Sequence, residues 1–157
     1  SQLLDSAVDT MRRIISDLRP SVLDHLGVWT AIEWYAGQIE ERTGLRCQVA
    51  IAAEVAAIEV EPERATAMFR IVQEAVVNAV RHASATTLHV QVRLRRRHRN
   101  TWLCVSVTDN GTSTRSIQPG RGIQGIRDRA LTLGGGMKYS VRPDGGLRLR
   151  AWVLVNH

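Results

Sequence analysis

The sequence predicts an α+β domain: a two-layer sandwich in which a mixed, mostly antiparallel sheet carries helices on one face, with a separate helix in front of it. Three observations lead there. TTLHVQVRL, TWLCVSVTD and LRLRAWVLV are strand-like runs of the kind that line a half-buried sheet. The stretch from Pro62 to His82 instead repeats its apolar residues at helical spacing. Strand pairs follow one another across polar or glycine-bearing turns, so the order is that of a mixed sheet with helices gathered on one side.

In chain order, residues 1–19 place Leu4, Val8, Met11, Ile15 and Leu18 in steps of three and four, a narrow seam that seeks a partner helix. Pro20 ends this helix, because its ring removes a hydrogen bond and clashes with the preceding turn. A second helix is expected over about 21–43, closed by Gly44. A strand over 46–53 precedes the helix from Pro62, a residue suited to a first helical turn. A strand pair follows at 86–95 and 101–109, then a loop, a helix over 122–133 and a final strand pair. Gly134 to Gly136 and Gly145-Gly146 read as turns. Two units result: the end of a helical region at 1–20 and a domain at 21–157.

A chain of 157 residues with 44% apolar content can bury one real core plus an appendage. No apolar run approaches the roughly 20 residues of a membrane span, and there is no signal-peptide pattern, so a soluble piece is expected. The abrupt helical start without an initiator Met reads as part of a longer protein. Cys47 and Cys104 lie in strand-like runs without CxxC spacing and read as buried thiols in a reducing compartment. None of the five histidines has zinc-like spacing. The net charge of +6 owes much to RLRRRHRN, Arg93 to Asn100, which reads as a solvated hairpin tip. No aromatic residue interleaves with these arginines along the chain, which argues against nucleic acid and leaves an acidic partner or phospholipid surface as other uses.

Chemistry concentrates in FRIVQEAVVNAVRHA. At about 100° per residue, Glu74, Asn78 and Arg81 fall within an arc of roughly 60°, beside an apolar side made by Met68, Ile71, Val72, Ala75, Val76 and Ala79. A carboxylate, a carboxamide and a guanidinium in a row offer an acid or base, an oxygen ligand for a hard cation and an anion contact. By itself the stripe is equally a solvated helix edge. Further on come Thr108-Asp109-Asn110-Gly111 and then Gly120-Arg121-Gly122-Ile123-Gln124-Gly125-Ile126. Alone, Asp109 is a turn residue before Asn-Gly. The GxGxxG pattern also marks dinucleotide sites, but those sit between the first strand and helix of a βαβ unit, and this one lies late, after a hairpin.

Together and in this order, the three segments resemble the ATP-binding catalytic domain of two-component sensor histidine kinases, in the superfamily that also holds type II topoisomerase ATPases and MutL repair proteins. EAVVNAVRHA is similar to the asparagine box, VTDNG to the first glycine box and GRGIQGIRDRA to the second. Upstream, LRPSVLDHLGVWTAIEWYAGQIEERTGL resembles the junction of the nitrate-sensor-like class, so residues 1–20 become a remnant of the dimerisation and phosphoacceptor helices.

The resemblance implies a set of roles. Asp109 accepts a hydrogen bond from the adenine amino group, and Gly111 lets the backbone pass close to the nucleotide. Gly120, Gly122 and Gly125, with Arg121 and Ile123, open a helix whose amides bind phosphate. Asn78 becomes the magnesium ligand, Arg81 lies near phosphate, and Glu74 orients the nucleophile or acts as general base. His82 ends the box and is carried over with the ATP-binding residues, its side chain reading as a capping or packing group at the helix end rather than a catalytic one. Arg121 or Arg115 reaches the triphosphate from a lid-like loop over 112–121. Implied cofactors are ATP and Mg2+.

No histidine here fits the phosphoacceptor: His25 belongs to the junction, His89 and His98 to the hairpin, and His157 is terminal. The expected activity is therefore that of a histidine kinase catalytic domain acting on a histidine in the parent's dimerisation helices. A response-regulator receiver domain then takes the phosphoryl group. The parent is expected to be a homodimeric bacterial sensor kinase and a phosphoprotein, with this domain cytoplasmic and the parent's membrane attachment open. Two departures stand out. Ser113 replaces a second glycine of the first glycine box, and Leu147 follows Gly146 where the family often has Thr, whose hydroxyl helps bind adenine. One lost hydrogen bond is worth about 0.5–1.5 kcal/mol. These leave two alternatives, a catalytically weakened nucleotide-binding or interaction module and a serine kinase of the anti-sigma-factor type.

Overall fold

The computed structural model describes residues 27–82, 85–111 and 121–156. The leading helical seam, Pro20, His25, Ser113, Arg115 and Gly120 lie outside the described residues.

The longest helix, α3 (Pro62–His82), puts its apolar side where the periodicity requires. Met68, Ile71, Val72, Ala75, Val76 and Ala79 are all buried, and Phe69 joins them. This side packs on a five-stranded sheet of order β1-β2-β3-β5-β4, with β1 (Arg46–Ile51), β2 (Thr87–Arg97), β3 (Asn100–Asp109), β4 (Gly136–Val141) and β5 (Leu147–Asn156). β1 and β2 are parallel and all other pairs antiparallel, the mixed sheet expected from the chain order. Leu88, Val90 and Val92 of β2, Leu103, Val105 and Val107 of β3, and Leu149, Ala151 and Val153 of β5 are buried on the helix side. Each fully buried Leu, Ile or Val stabilises the fold by about 1.5–3 kcal/mol.

Helix α1 (Val28–Thr43) adds Ala31, Ile32, Tyr35 and Ile39 to the same core. Tyr35 meets Phe69 edge-on, with ring centroids 5.9 Å apart. The helix ends at Gly44, whose φ of 75° allows its amide to donate to the Glu40 carbonyl at 2.9 Å. At the other end the expectation of a helix from about 21 to 43 needs correction. Gly27 has φ 80° and ψ 164°, outside any right-handed helix, so the helix begins at Val28. A four-residue helix, α2 (Ala53–Ala56), was not foreseen, and it buries Val55. Helix α4 (Arg121–Thr132) completes the helical layer with Ile123, Ile126 and Ala130 buried. No described helix is long and apolar enough to cross a membrane.

The arginine run is not a loop. β2 continues through Arg97, and the register reaches Arg97 opposite Asn100, so the turn is His98-Arg99 alone, with His98 at φ 58°. Ladder hydrogen bonds are made by the backbone, so a polar side chain facing solvent is no obstacle to strand formation.

The cysteines also divide. Cys47 is buried in the core, whereas Cys104 is half-buried on the opposite face of the sheet, and both are free thiols. Burial, with the Glu40 carboxylate beside it, pushes the Cys47 thiol from 9.0 up to about 12. A thiol whose folded value exceeds its unfolded one favours the fold fully below pH 9.0, and this contribution is lost as pH rises toward 12. Thermal melting followed by circular dichroism is therefore expected to weaken across that window, and Cys47→Ala should flatten the decline.

Candidate nucleotide site

The end of β3 carries a buried carboxylate. Asp109 is 4% exposed, and its Oδ1 accepts hydrogen bonds from the amides of Gly111 at 2.8 Å and Leu147 at 3.3 Å. These hold the carboxylate still and leave Oδ2 without a partner among the described residues. An acceptor-only group fixed in this way suits a ligand amino group. Burial pushes the Asp109 carboxyl above its usual range. The bonds from Gly111 and Leu147 and the guanidinium of Arg142 act in the opposite direction without cancelling that effect.

Neighbouring residues make the clamp possible. A Cβ on Gly146 would fall 2.0 Å from the Asp109 carbonyl oxygen, so only glycine lets the β4–β5 turn lie against the end of β3. The backbone of Asn110 donates to the Thr87 carbonyl at 3.2 Å. The Asn110 side chain accepts from the amides of Thr86 and Thr87 and donates to the Thr86 hydroxyl, at 2.9–3.0 Å. This ties the segment after Asp109 to the start of β2, five residues beyond the end of α3. Leu147 itself is buried, and its amide does work that side-chain reading could not assign to it. Gly146 and Asn110 were missed as site residues, and at Leu147 only the lost hydroxyl was weighed, not the amide that holds Asp109.

A second grouping forms where α3 meets α4. Glu74 and Asn78 are half-buried on α3, one turn apart. A Cβ on Gly122 would lie 2.9 Å from Glu74 Oε2, so the Glu74 carboxylate sits against the first turn of α4. The absence of a side chain at 122 thus joins the asparagine-box stripe to the second glycine segment. Gly125 is less demanding, since its Cβ would meet only the Arg129 guanidinium tip at 3.0 Å. Ile123 points into the core at 3% exposure, which leaves its backbone as the part able to face a ligand. Arg81 is exposed on the last turn of α3. His82 is the last residue of α3 and Arg121 the first of α4, and the side chains of both lie outside the description, as does Gly120. Among the described residues there is no cluster of three or more His, Cys, Asp or Glu able to hold a metal ion.

A family model for the histidine kinase-like ATPase domain matches residues 41–145. The chain belongs to that family. Curated relatives include the sensor histidine kinase MctS of Rhizobium johnstonii, 33% identical over 128 residues, which are 81% of this chain and 24% of MctS. The signal transduction histidine-protein kinase/phosphatase DegS of Brevibacillus brevis is 31% identical over 92% of this chain and 37% of its own length. The chain thus spans about a quarter to a third of these relatives. Among solved structures, the histidine kinase domain of the blue-light activated histidine kinase of Erythrobacter litoralis superimposes with a TM-score of 0.63 at 20% identity, over 82% of this chain and 65% of that one. The histidine kinase AdeS of Acinetobacter baumannii gives 0.63 at 13% identity, over 96% and 81%. At these identities the likeness is one of fold, the α+β sandwich described above.

For this histidine kinase-like ATPase domain the glycine contacts give two separable outcomes. Gly146→Ala drives a methyl group into backbone and should lower the thermal midpoint together with any nucleotide binding. Gly122→Ala meets only a movable carboxylate, so the midpoint should hold while Glu74 is displaced. Equal loss of stability in the two variants, measured by thermal melting, would contradict this reading.

Proposed function

We propose that this domain binds ATP with magnesium and transfers the γ-phosphate to a histidine on the dimerisation helices of a bacterial two-component sensor kinase, from which a response-regulator receiver domain takes it. The observation that carries the reading is the Asp109 clamp, a buried carboxylate with one oxygen held by two amides and the other available to an adenine amino group. Gly111 and Gly146 keep the backbone around it clear of side chains.

The other grouping supplies the phosphate end. The first amides of α4 lack intrahelical partners and, with the helix dipole, favour the triphosphate, with Gly122 keeping the approach open. Asn78 would offer its side-chain oxygen to magnesium, a hard cation that takes oxygen ligands. When bound, magnesium supplies charge neutralisation at the phosphates. Glu74 orients the incoming imidazole nitrogen for in-line attack and can take its proton; the nitrogen–phosphorus bond forms as the bond to the bridging oxygen breaks, and ADP leaves. To Arg81 and His82 at the end of α3 and Arg121 at the start of α4 this reading assigns contacts with the nucleotide. Cytoplasmic placement and a dimeric parent follow from the same reading.

Calorimetric titration of MgATP into the chain tests it. Micromolar to sub-millimolar binding is expected. Asp109→Asn should weaken it about ten- to a hundredfold, the range of a hydrogen bond to a charged group, and Asn78→Ala should weaken it only when magnesium is present. No heat and no displacement of a fluorescent nucleotide would reject the proposal. In the full-length kinase, Glu74→Gln should slow autophosphorylation by about a hundredfold or more with little change in ATP affinity.

The direction of the Asp109 shift gives a further expectation. Its raised value makes ionisation costly to the fold, so stability declines as pH rises from 3.8 through the folded value. Above that value Asp109→Asn should therefore keep or raise the thermal midpoint while weakening ATP binding. Acid loss of ATP binding should be centred above 3.8.

A further inference from the structure

The sheet face opposite the helices carries a charge pattern that nucleotide binding does not use. Its outward positions, set by the alternation along each strand, include Arg93, Arg95 and Arg97 on β2, Lys138 on β4, and Arg148 and Arg150 on β5. No Asp or Glu occupies an outward position on any described strand. None of these six cations forms a salt bridge with the described residues, and the Nε of Arg148 is buried without an acceptor.

Five of these six, all but Arg148, line a groove of about 730 Å3. Its floor is β3, where Cys104 and Ser106 are small. One wall is Arg93 and Arg95, whose charges both act on the Cys104 thiol. The other wall is Arg150, Lys138 and Trp152, since Cys104 pairs with Trp152, Ser106 with Arg150, and Arg150 with Lys138. Trp102, opposite Arg95, closes one end. The Trp152 ring is seated on Gly136, where a Cβ would come within 2.8 Å of it, so the indole is fixed on the sheet.

We propose that this groove docks an extended, Asp/Glu-rich polypeptide segment of a partner protein. Successive side chains of an extended chain point to opposite sides, so neighbouring carboxylates would meet the two cationic walls, while an apolar side chain contacts the Trp152 indole. Arginine dominates the walls, and its planar fork pairs with carboxylates through two hydrogen bonds. The length fits as well. Trp102 to Ser106 spans about 13 Å, or about four residues of extended polypeptide. Grooves for single-stranded nucleic acid instead track about 4–16 nucleotides. A bilayer surface is flat and would reach the guanidinium rims without filling the recess between them. The proposal is independent of nucleotide binding, because the groove and the Asp109 clamp lie on opposite faces of β3.

The test is fluorescence anisotropy with a short labelled Asp/Glu-rich peptide carrying one leucine, against its Asn/Gln counterpart, a single-stranded oligonucleotide and phosphatidylserine vesicles. The acidic peptide should bind in preference to the other three, more weakly as salt rises, and should shield Cys104 from iodoacetamide. The pair Arg95→Gln with Arg150→Gln should weaken binding about tenfold, and Arg95→Glu with Arg150→Glu should abolish it, with the thermal midpoint and MgATP titration unchanged. Equal binding of the Asn/Gln peptide, stronger binding of oligonucleotide or vesicles, or an unshielded Cys104 would overturn the proposal. If the charge reversals unfold the chain, the glutamine pair decides, and its failure to weaken binding would overturn the proposal as well.

Discussion

Burying a carboxylate without hydrogen bonds is costly enough that a fold holding one must organise backbone around it. At Asp109 this organisation reaches across the domain. The Leu147 amide arrives from β5, the Gly111 amide from the segment leading toward α4, and Asn110 fastens that segment to the start of β2. Gly146 permits the approach and no other residue would. The clamp therefore depends on the antiparallel β3–β5 pairing, and the pairing in turn brings the β4–β5 turn to the Asp109 end of the sheet.

What could be read from the sequence, and what could not, divides along physical lines. α3 was visible because 21 residues sample a helical period nearly six times, and every residue assigned to its apolar side is buried. The sandwich followed from alternation in β2, β3 and β5. α2 escaped because four residues are too few to display a period, and the start of α1 was misplaced because a single glycine at φ 80° interrupts what composition alone makes look continuous. The arginine run was misread for a related reason. Polarity signals contact with water, and both a loop and the outer face of a strand satisfy it.

The sequence singled out the side chains of Asp109, Glu74 and Asn78, and the fold places them in two groupings, Asp109 at the end of β3 and the other two beside the start of α4. Backbone chemistry was not readable. Leu147 looked like a departure because a hydroxyl was expected there, yet its amide holds the Asp109 carboxylate, a task open to any residue except proline. Gly122 looked like one more phosphate-loop glycine, and its distinguishing feature is the Glu74 carboxylate resting against it.

β3 serves both surfaces at once. Its odd-numbered residues, Leu103 to Asp109, face the core and the clamp, and on the other face Cys104 and Ser106 form the floor of the cationic groove that Trp102 closes. Because side chains alternate, inserting or deleting one residue between Trp102 and Asp109 would turn one of the two to the wrong face, and sliding the whole strand by one residue would turn both. Lineages carrying this domain can thus change length at the His98-Arg99 turn, but the strand itself is held to one frame by two surfaces whose requirements have opposite parity.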